Sequence, residues 1–178
     1  MDDAQIICEA LGIHRTAEFI LFDPSSFTVI ERGSLNDETE SILKSMVAGW
    51  EFTTPENLKV GQPINYAAAN NHRQHAPAYE QDIAPIIEEN CASCHRESGI
   101  APFAVDSYSM IRGWSPMIRE VVMTKRMPPG QIDPHIGSFE NDMLLIDSEQ
   151  QTLLHCIEAG APRDATTDPL ARLSWPES

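Results

Sequence analysis

The sequence carries Cys91-Ala92-Ser93-Cys94-His95, the stretch that decides how the second half of the chain folds. One turn of helix brings both thiols to positions where they can add to the two vinyl groups of a haem, and the next residue offers an imidazole to the iron. A Cys-x-x-Cys-His run is the attachment pattern of c-type haem. The sequence therefore predicts one covalently bound haem c, attached through Cys91 and Cys94, with His95 as an iron ligand.

Two other interpretations of this stretch are dithiol redox chemistry and zinc binding. A dithiol motif of the thioredoxin type follows a strand and opens a helix, whereas this motif closes one. Asp82 is the expected N-cap of that helix and Pro85 is tolerated in its first turn. A zinc site needs four Cys or His ligands at short paired spacings, and the sequence has no second cysteine pair. Both alternatives therefore explain less of the pattern than haem does.

Composition and charge narrow the class of partner. The chain has 178 residues, 42% hydrophobic and 22% charged, which is typical of a globular protein. Its formal net charge of −15 repels nucleic acid and anionic lipid, so a protein partner with a basic docking face is expected. No apolar run reaches the 18 or so residues that a membrane span requires.

The remaining cysteines and the start of the chain give information about the cellular compartment of the protein. Cys8 and Cys156 are predicted to be reduced, buried thiols, with a disulfide between them as the alternative. Haem of this kind is attached outside the cytoplasm, so a periplasmic or otherwise extracytoplasmic location is expected. The stretch 1–5 lacks the basic start and apolar core of a signal peptide, which suggests a piece of a longer protein or a chain made without its export signal.

The first fifty residues predict a helix, a β-hairpin and a second helix. The first helix covers 3–11, the strands 17–22 and 27–32, and Asp37 caps a helix that ends at Gly49. A sheet of two strands is marginally stable alone. This segment is therefore expected to lean on the haem domain, on another copy in a homo-oligomer, or on a part of its own fold that is missing.

The segment that runs from Leu11 to Asp23 resembles the peroxiredoxin-like (redoxin) family. The resemblance implies that residues 1–50 are the closing part of a thioredoxin-like fold. Ala17 stands where the family has a cis proline, and the family's opening strand, redox cysteine and first helix have no counterpart before Met1. No thiol redox activity is therefore assigned to this half, which is interpreted as a packing or docking module.

Residues 51–77 are interpreted as an extended linker because they combine Pro55, Gly61 and Pro63 with a polar middle. His72 and His75 lie there, three positions apart. Two histidines at this spacing can bind a metal, but a loop without a third ligand is a weak site.

Helical spacing continues after the haem motif. A short helix is predicted from Ser107 to Arg112, stopped at Gly113, and Ser115 caps a new helix that prolines halt. A last helix begins at residue 147 or 148 and ends at Gly160. In it Cys156 is predicted to fill the core and His155 to be solvated.

Met127 is the predicted second iron ligand, because the prolines that follow it leave its side chain at a fixed helix end. Other methionines are weaker candidates: Met117 and Met123 are interpreted as core residues of the helix, and Met110 and Met143 flank turns. His135 would instead give a bis-histidine site, and an open iron remains a third possibility.

The segment from Tyr79 to Pro162 resembles a cytochrome c domain of large exported bacterial proteins. The matching motifs are Asp82 to Cys91, Ala101-Pro102-Phe103, Ile118 to Val122, Arg126-Met127-Pro128-Pro129, Asn141-Asp142 and Ala159 to Pro162. In those proteins the domain often follows a redoxin-like domain and precedes a copper type II, ascorbate-dependent monooxygenase-like domain, which is absent here.

This resemblance implies a mainly α architecture: a cytochrome c-like helical haem domain over 78–165, followed by a tail over 166–178. It also implies that a backbone carbonyl near a proline, here Pro102, orients the imidazole of His95. A His/Met ligand pair raises the reduction potential above that of two histidines.

Three functional hypotheses follow. The first is a single-haem electron-transfer domain that serves a redox partner protein or a fused oxidoreductase domain. The second is a haem enzyme or small-ligand binder, peroxidase-like, with a labile sixth ligand. The third is a haem-containing docking module of a larger oxidoreductase. The sequence favours electron transfer over stand-alone catalysis without deciding whether the chain is an enzyme.

Overall fold

The computed structural model of the protein describes residues 2–35, 39–49, 61–137, 139–140 and 142–175. The chain divides into two compact units, one made of Met1–Ile6 with Tyr66–Ser178 and the other of Ile7–Asn65. The first of them contains the Cys91 to His95 stretch and is called the helical unit below. The second is called the hairpin unit.

The described elements are mostly helical. In chain order they are α1 (Ile6–Ala10), β1 (Glu18–Asp23), β2 (Thr28–Ser34), α2 (Thr39–Val47), α3 (Ala67–Gln74), a π-helix (Tyr79–Ile83), α4 (Ala84–Asn90), α5 (Tyr108–Met123), α6 (Asp147–Glu158) and a 3-10 helix (Leu170–Arg172). Within the part of the chain that the structure covers, no helix combines the length and the apolar character needed to cross a bilayer.

The hairpin unit contains the predicted antiparallel β-hairpin. β1 pairs with β2, with a shift of register between Leu21 and Phe22 that marks a bulge. The turn is held by Asp23, whose carboxylate accepts hydrogen bonds from the backbone N–H of Ser25 at 2.8 Å and the hydroxyl of Ser26 at 2.6 Å. The side-chain bond from Ser26 is the main cause that lowers the pKa of Asp23. Asp37, the predicted cap of α2, lies outside the described residues.

Several apolar side chains of the hairpin unit are exposed. Phe27 is 81% exposed, and Val29 and Ile30 of β2 are also exposed. A two-stranded sheet has too few neighbours to cover both of its faces. The hairpin unit by itself therefore does not bury the apolar residues that its strands carry.

A helix replaces part of the predicted linker. The segment 51–77 was expected to be extended, but residues 67–74 form α3, which packs on α6. The run Ala67-Ala68-Ala69 has high helix propensity, and Ala69 is buried at 3% exposure. His72 therefore lies on a helix rather than on the predicted loop, and His75 is the C-terminal cap of that helix.

The helix before the haem motif begins earlier than predicted. Its first turn is the π-helix, with Ala78 as the N-cap residue, so Asp82 is not the N-cap. The carboxylate of Asp82 instead accepts a hydrogen bond from the N–H of Ala78 at 2.7 Å. Tyr79, 1% exposed, is among the most deeply buried side chains of the unit. Its burial extends the helix upstream of the predicted start.

One long helix, α5, stands where two short helices were predicted. Gly113 and Pro116 both lie inside it. Pro116 has no N–H and so removes one helix hydrogen bond, while the hydroxyl of Ser115 donates to the carbonyl of Ile111 at 2.9 Å. Ile111 and Val122 are both buried and lie three turns apart. The apolar burial along this face stabilises the helix by more than Gly113 and Pro116 destabilise it.

The end of α5 is formed by a Schellman motif and not by the prolines that were expected to halt it. Lys125 has a φ of +55°, in the left-handed region. Its N–H donates to the carbonyl of Val122 at 3.1 Å, and the N–H of Arg126 donates to the carbonyl of Val121 at 2.8 Å. These two bonds are the pair that defines a Schellman cap. The helix therefore ends at Met123, before Met127 is reached.

The C-terminal segment belongs to the core of the helical unit. Leu170, which falls in the predicted tail 166–178, is 1% exposed. Asp168 accepts hydrogen bonds from the Tyr79 hydroxyl at 2.6 Å and from the N–H of Tyr108 at 2.7 Å. Burial, followed by the bond to Asp168, raises the pKa of Tyr79 above its usual range. Residues 168 to 170 thus hold together the starts of two helices.

Replacement of Asp168 by alanine is expected to lower the free energy of unfolding by roughly 2 to 4 kcal/mol, because a buried hydroxyl and a backbone N–H lose their acceptor. Chemical denaturation would measure the change. The control is Asp133→Ala, an exposed aspartate whose carboxylate accepts from the N–H of His135; its expected cost is below about 1 kcal/mol. Equal losses in the two variants would contradict the role given to Asp168.

Candidate haem site

The Cys-x-x-Cys-His stretch folds as one compact turn directly after α4. The N–H groups of Cys94 and His95 both donate to the carbonyl of Cys91, at 3.2 and 2.9 Å. Of the two residues between Cys91 and Cys94, Ala92 is buried at 2% exposure and Ser93 is exposed. The two thiols and the imidazole are therefore presented by a single hydrogen-bonded turn.

The imidazole of His95 has a fixed orientation. Its Nδ1 lies 3.0 Å from the carbonyl oxygen of Phe103. A carbonyl oxygen only accepts, so Nδ1 carries the proton and Nε2 of the neutral ring keeps its lone pair. This is the tautomer that binds a metal through Nε2. The arrangement matches what an iron ligand requires.

The acceptor of His95 is one residue away from the predicted one. Pro102 was the expected position of the accepting carbonyl, whereas the oxygen belongs to Phe103. The loop is anchored by two backbone bonds, from Ala101 N–H to the Cys94 carbonyl at 3.1 Å and from Val105 N–H to the His95 carbonyl at 2.8 Å. These anchors turn the Phe103 carbonyl toward the ring.

An aromatic stack supports the same contact. The ring of Phe103 lies 4.9 Å from the His95 ring, measured between centroids, and 4.5 Å from the Trp114 ring at an interplanar angle of 15°. Trp114 belongs to α5. Sequence reasoning missed Trp114, because it is brought to the site only by tertiary packing. It holds the residue that orients His95.

The thiol of Cys91 has little tendency to lose its proton. Burial, with a smaller contribution from the neighbouring Cys94, raises the pKa of Cys91 to about 12. Zinc binding and disulfide exchange both use the thiolate form. In addition, the described residues contain no cluster of three or more His, Cys, Asp or Glu side chains placed to hold a metal ion. The raised pKa of Cys91 disfavours disulfide exchange at this thiol.

Met127 lies just beyond the Schellman cap of α5. Its N–H donates to the carbonyl of Val121 at 3.2 Å, and its side chain is 40% exposed. For the residues that the structure describes, no hydrogen bond joins Met127 to His95 or to either cysteine. The structure therefore fixes the backbone of Met127 and leaves its thioether accessible.

The alternative ligands are placed differently. Nε2 of His135 lies 3.1 Å from a carboxylate oxygen of Asp3, so the nitrogen that would bind iron is engaged. Met117 was predicted to be a core residue but is 47% exposed, which makes that prediction wrong. Met110, Met123 and Met143 are half-buried.

A cavity of about 840 Å³ opens beside His95. Its walls come from the turn after Cys91, from the start of α5 and from the C-terminal segment, and they include Ala92, His95, Arg96, Asp106, Leu170 and Trp175. The guanidinium of Arg96 lies 5.1 Å from the centroid of the Trp175 ring. The segment interpreted as a tail therefore forms one wall of the space next to the imidazole.

The other two cysteines do not take part in the site. Cys156 is 2% exposed, and burial, followed by the charge of Asp82, raises its pKa to about 11. This fits the predicted core role. Cys8 is half-buried in the hairpin unit, less so than predicted.

In comparisons with known proteins, no family model matches the chain, and neither does a curated protein or a solved structure.

Replacement of Trp114 by leucine is expected to loosen Phe103 and to reduce the share of His95 that is protonated at Nδ1. An aromatic pair contributes about 1 kcal/mol. Nitrogen NMR of the His95 imidazole in the haem-free protein would report the tautomer, and Trp114→Phe should restore it.

The control is Trp175→Leu, which removes the indole that contacts Arg96 without touching Phe103. If Trp175→Leu changes the His95 tautomer as much as Trp114→Leu does, the stack on Phe103 is not what orients the imidazole.

Proposed function

We propose that the helical unit is a cytochrome c-like domain that binds one haem c and transfers electrons. Cys91 and Cys94 would hold the haem covalently, His95 would be one axial ligand and Met127 the other. The observation that carries the proposal is the bond from His95 Nδ1 to the Phe103 carbonyl, next to both thiols on one turn. Residues 1–50 are proposed as a partial thioredoxin-like segment.

The residues present fit the group. Both cysteines are reduced thiols, as addition to the vinyl groups of haem requires, and the thiol of Cys91 is mostly protonated at neutral pH. His95 offers a neutral Nε2, and Met127 offers a soft thioether. Imidazole and thioether together are the ligand set of electron-carrying cytochromes c.

The bound haem would supply a one-electron couple of its iron. The protein would hold the ligand atoms in place, so that their positions stay the same in both oxidation states of the iron. The Phe103 carbonyl keeps the His95 proton at Nδ1, so the ring cannot turn without losing a hydrogen bond. Trp114 stacks on Phe103 and limits movement of that carbonyl. A site that does not rearrange between redox states is suited to electron transfer.

The second candidate is a haem enzyme or small-ligand binder with a labile sixth ligand. The exposure of Met127 favours it, because an exposed thioether is accessible to solvent and to competing ligands. The spectrum of the wild-type protein, compared with that of Met127→Ala, separates the two candidates. The third candidate, a haem-containing docking module, would show no reversible couple.

Partners and location follow from the same proposal. The formal net charge of −15 would direct a redox partner protein, or a fused oxidoreductase domain, with a basic docking face to this chain. Covalent haem attachment would place the protein in the periplasm or another extracytoplasmic compartment.

Expression of the chain together with a cytochrome c maturation system tests the attachment. The purified protein is expected to be red and to gain the mass of one haem that denaturation does not release. Cys91→Ala and Cys94→Ala together should abolish the gain, whereas Cys156→Ala should keep it. A colourless protein of unchanged mass would refute the proposal.

Replacement of Met127 by alanine is expected to remove the far-red absorption band of methionine-ligated ferric haem and to lower the reduction potential. The matched control is Met117→Ala, an exposed methionine of α5, which should change neither. A wild-type protein that is high-spin and binds carbon monoxide without any substitution would instead support the second candidate.

A further inference from the structure

The cavity beside His95 has the size of a small-molecule site. Its volume of about 840 Å³ lies within the range of about 300 to 1,000 Å³ that is typical of such sites. Its walls include His95 but not Cys91, Cys94 or Met127. The cavity is therefore bounded mostly by residues other than those proposed to hold the haem.

Arg96 is held at the wall of this cavity. Its Nε donates a hydrogen bond to the carbonyl of Ser93 at 3.2 Å, and its guanidinium lies 5.1 Å from the centroid of the Trp175 ring. The residue is half-buried. These two contacts restrict the guanidinium before any ligand arrives, which lowers the entropy cost of binding one.

The two terminal amino groups of Arg96 have no protein acceptor among the residues that the structure describes. Elsewhere in the helical unit Arg119 pairs with Glu158, and Arg163 pairs with Glu80. In a chain with 27 acidic and 12 basic residues, a guanidinium without a carboxylate is unexpected. The two amino groups lie side by side in one plane, and their spacing matches the two oxygens of a carboxylate.

The other walls of the cavity combine apolar and acidic groups. Ala92 and Leu170 are buried at 2% and 1% exposure, and Trp175 adds an indole ring. Glu97 and Asp106 also line the cavity, and both residues are exposed to solvent. The apolar walls favour a ligand with an apolar body, whereas the two carboxylates would repel a second negative charge on it.

We propose that this cavity binds a small organic monocarboxylate with an apolar body. The carboxylate accepts two hydrogen bonds from the terminal amino groups of Arg96, and the body packs against Leu170 and Trp175. A haem attached to the cysteine motif would carry carboxylates of the same chemistry. A free ligand is favoured because neither of the cysteines to which the haem would be joined lines the cavity.

Titration of the haem-free full chain with benzoate tests the site. NMR of the Trp175 indole N–H reports occupancy, because that ring lines the cavity. Benzamide has nearly the same shape without the charge, and it is expected to bind about tenfold to a hundredfold more weakly, as loss of hydrogen bonds to a charged group gives. Equal affinity for the two compounds, or no shift of the Trp175 signal with benzoate, would overturn the proposal.

Arg96→Gln is expected to weaken benzoate binding by about tenfold to a hundredfold and to leave benzamide binding unchanged. Arg96→Lys keeps the charge without the paired amino groups, so its affinity should fall between those of the wild type and Arg96→Gln. The matched control is Arg172→Gln, an exposed arginine of the C-terminal segment that does not line the cavity. An equal loss in Arg96→Gln and Arg172→Gln would contradict the assignment to Arg96.

The same titration of the haem-bearing protein, in its reduced form, separates the two sources of a carboxylate. Benzoate binding that persists and still depends on Arg96 supports the free ligand. Binding that is lost once haem is attached would overturn the free ligand and assign Arg96 to a carboxylate of the haem. A chain that attaches no haem would refute the proposed function and leave the benzoate result unaffected.

Discussion

The helical unit depends on the burial of Tyr79 and on its hydrogen bond to Asp168. Tyr79 starts the helix that ends in the Cys-x-x-Cys-His turn, and the same carboxylate accepts from the first N–H of α5. The backbone N–H of Tyr79 also donates to the carbonyl of Pro162 at 3.0 Å. Tyr79 and Asp168 together therefore join three segments that are far apart in the sequence: the start of the helix before the cysteine motif, the start of α5 and the C-terminal segment.

α5 lies between the two residues that are proposed as iron ligands, His95 and Met127, in the sequence. In its first half Trp114 supports the Phe103 carbonyl that orients His95, and beyond its end the cap holds the backbone of Met127. The helix would break at Gly113 or Pro116 if local preference decided. The burial of Ile111 and Val122 keeps it whole, so the positions of the two proposed ligands are tied to one rigid element.

Local signals made part of this structure predictable. The hairpin turn at Asp23, the helix stop at Gly160 and the position of the cysteine motif after a helix all follow from residues within a few positions of each other. The proposed ligand residues were named on the same basis. Their mutual arrangement was not predictable, because it depends on the path of the chain between them.

The features that were missed depend on contacts between distant residues. α3 looked like a linker because asparagine and histidine surround its short alanine run, and its partner helix lies some 80 positions away. Trp114 gave no signal, since only the fold brings it to Phe103. The C-terminal segment looked like a tail, yet Leu170 fills the core. In each case the deciding contact joins residues that are distant in the sequence.

The cap at Lys125 ties Met127 to the helical phase of α5. Because the last bonds of the cap run back to Val121 and Val122, a residue inserted between Trp114 and Val121 would turn everything beyond it by roughly 100° and push it about 1.5 Å along the axis. Met127 would then be rotated about the helix axis, whereas Trp114 would keep its orientation. A change in the length of α5 would therefore alter the position of Met127 relative to Trp114.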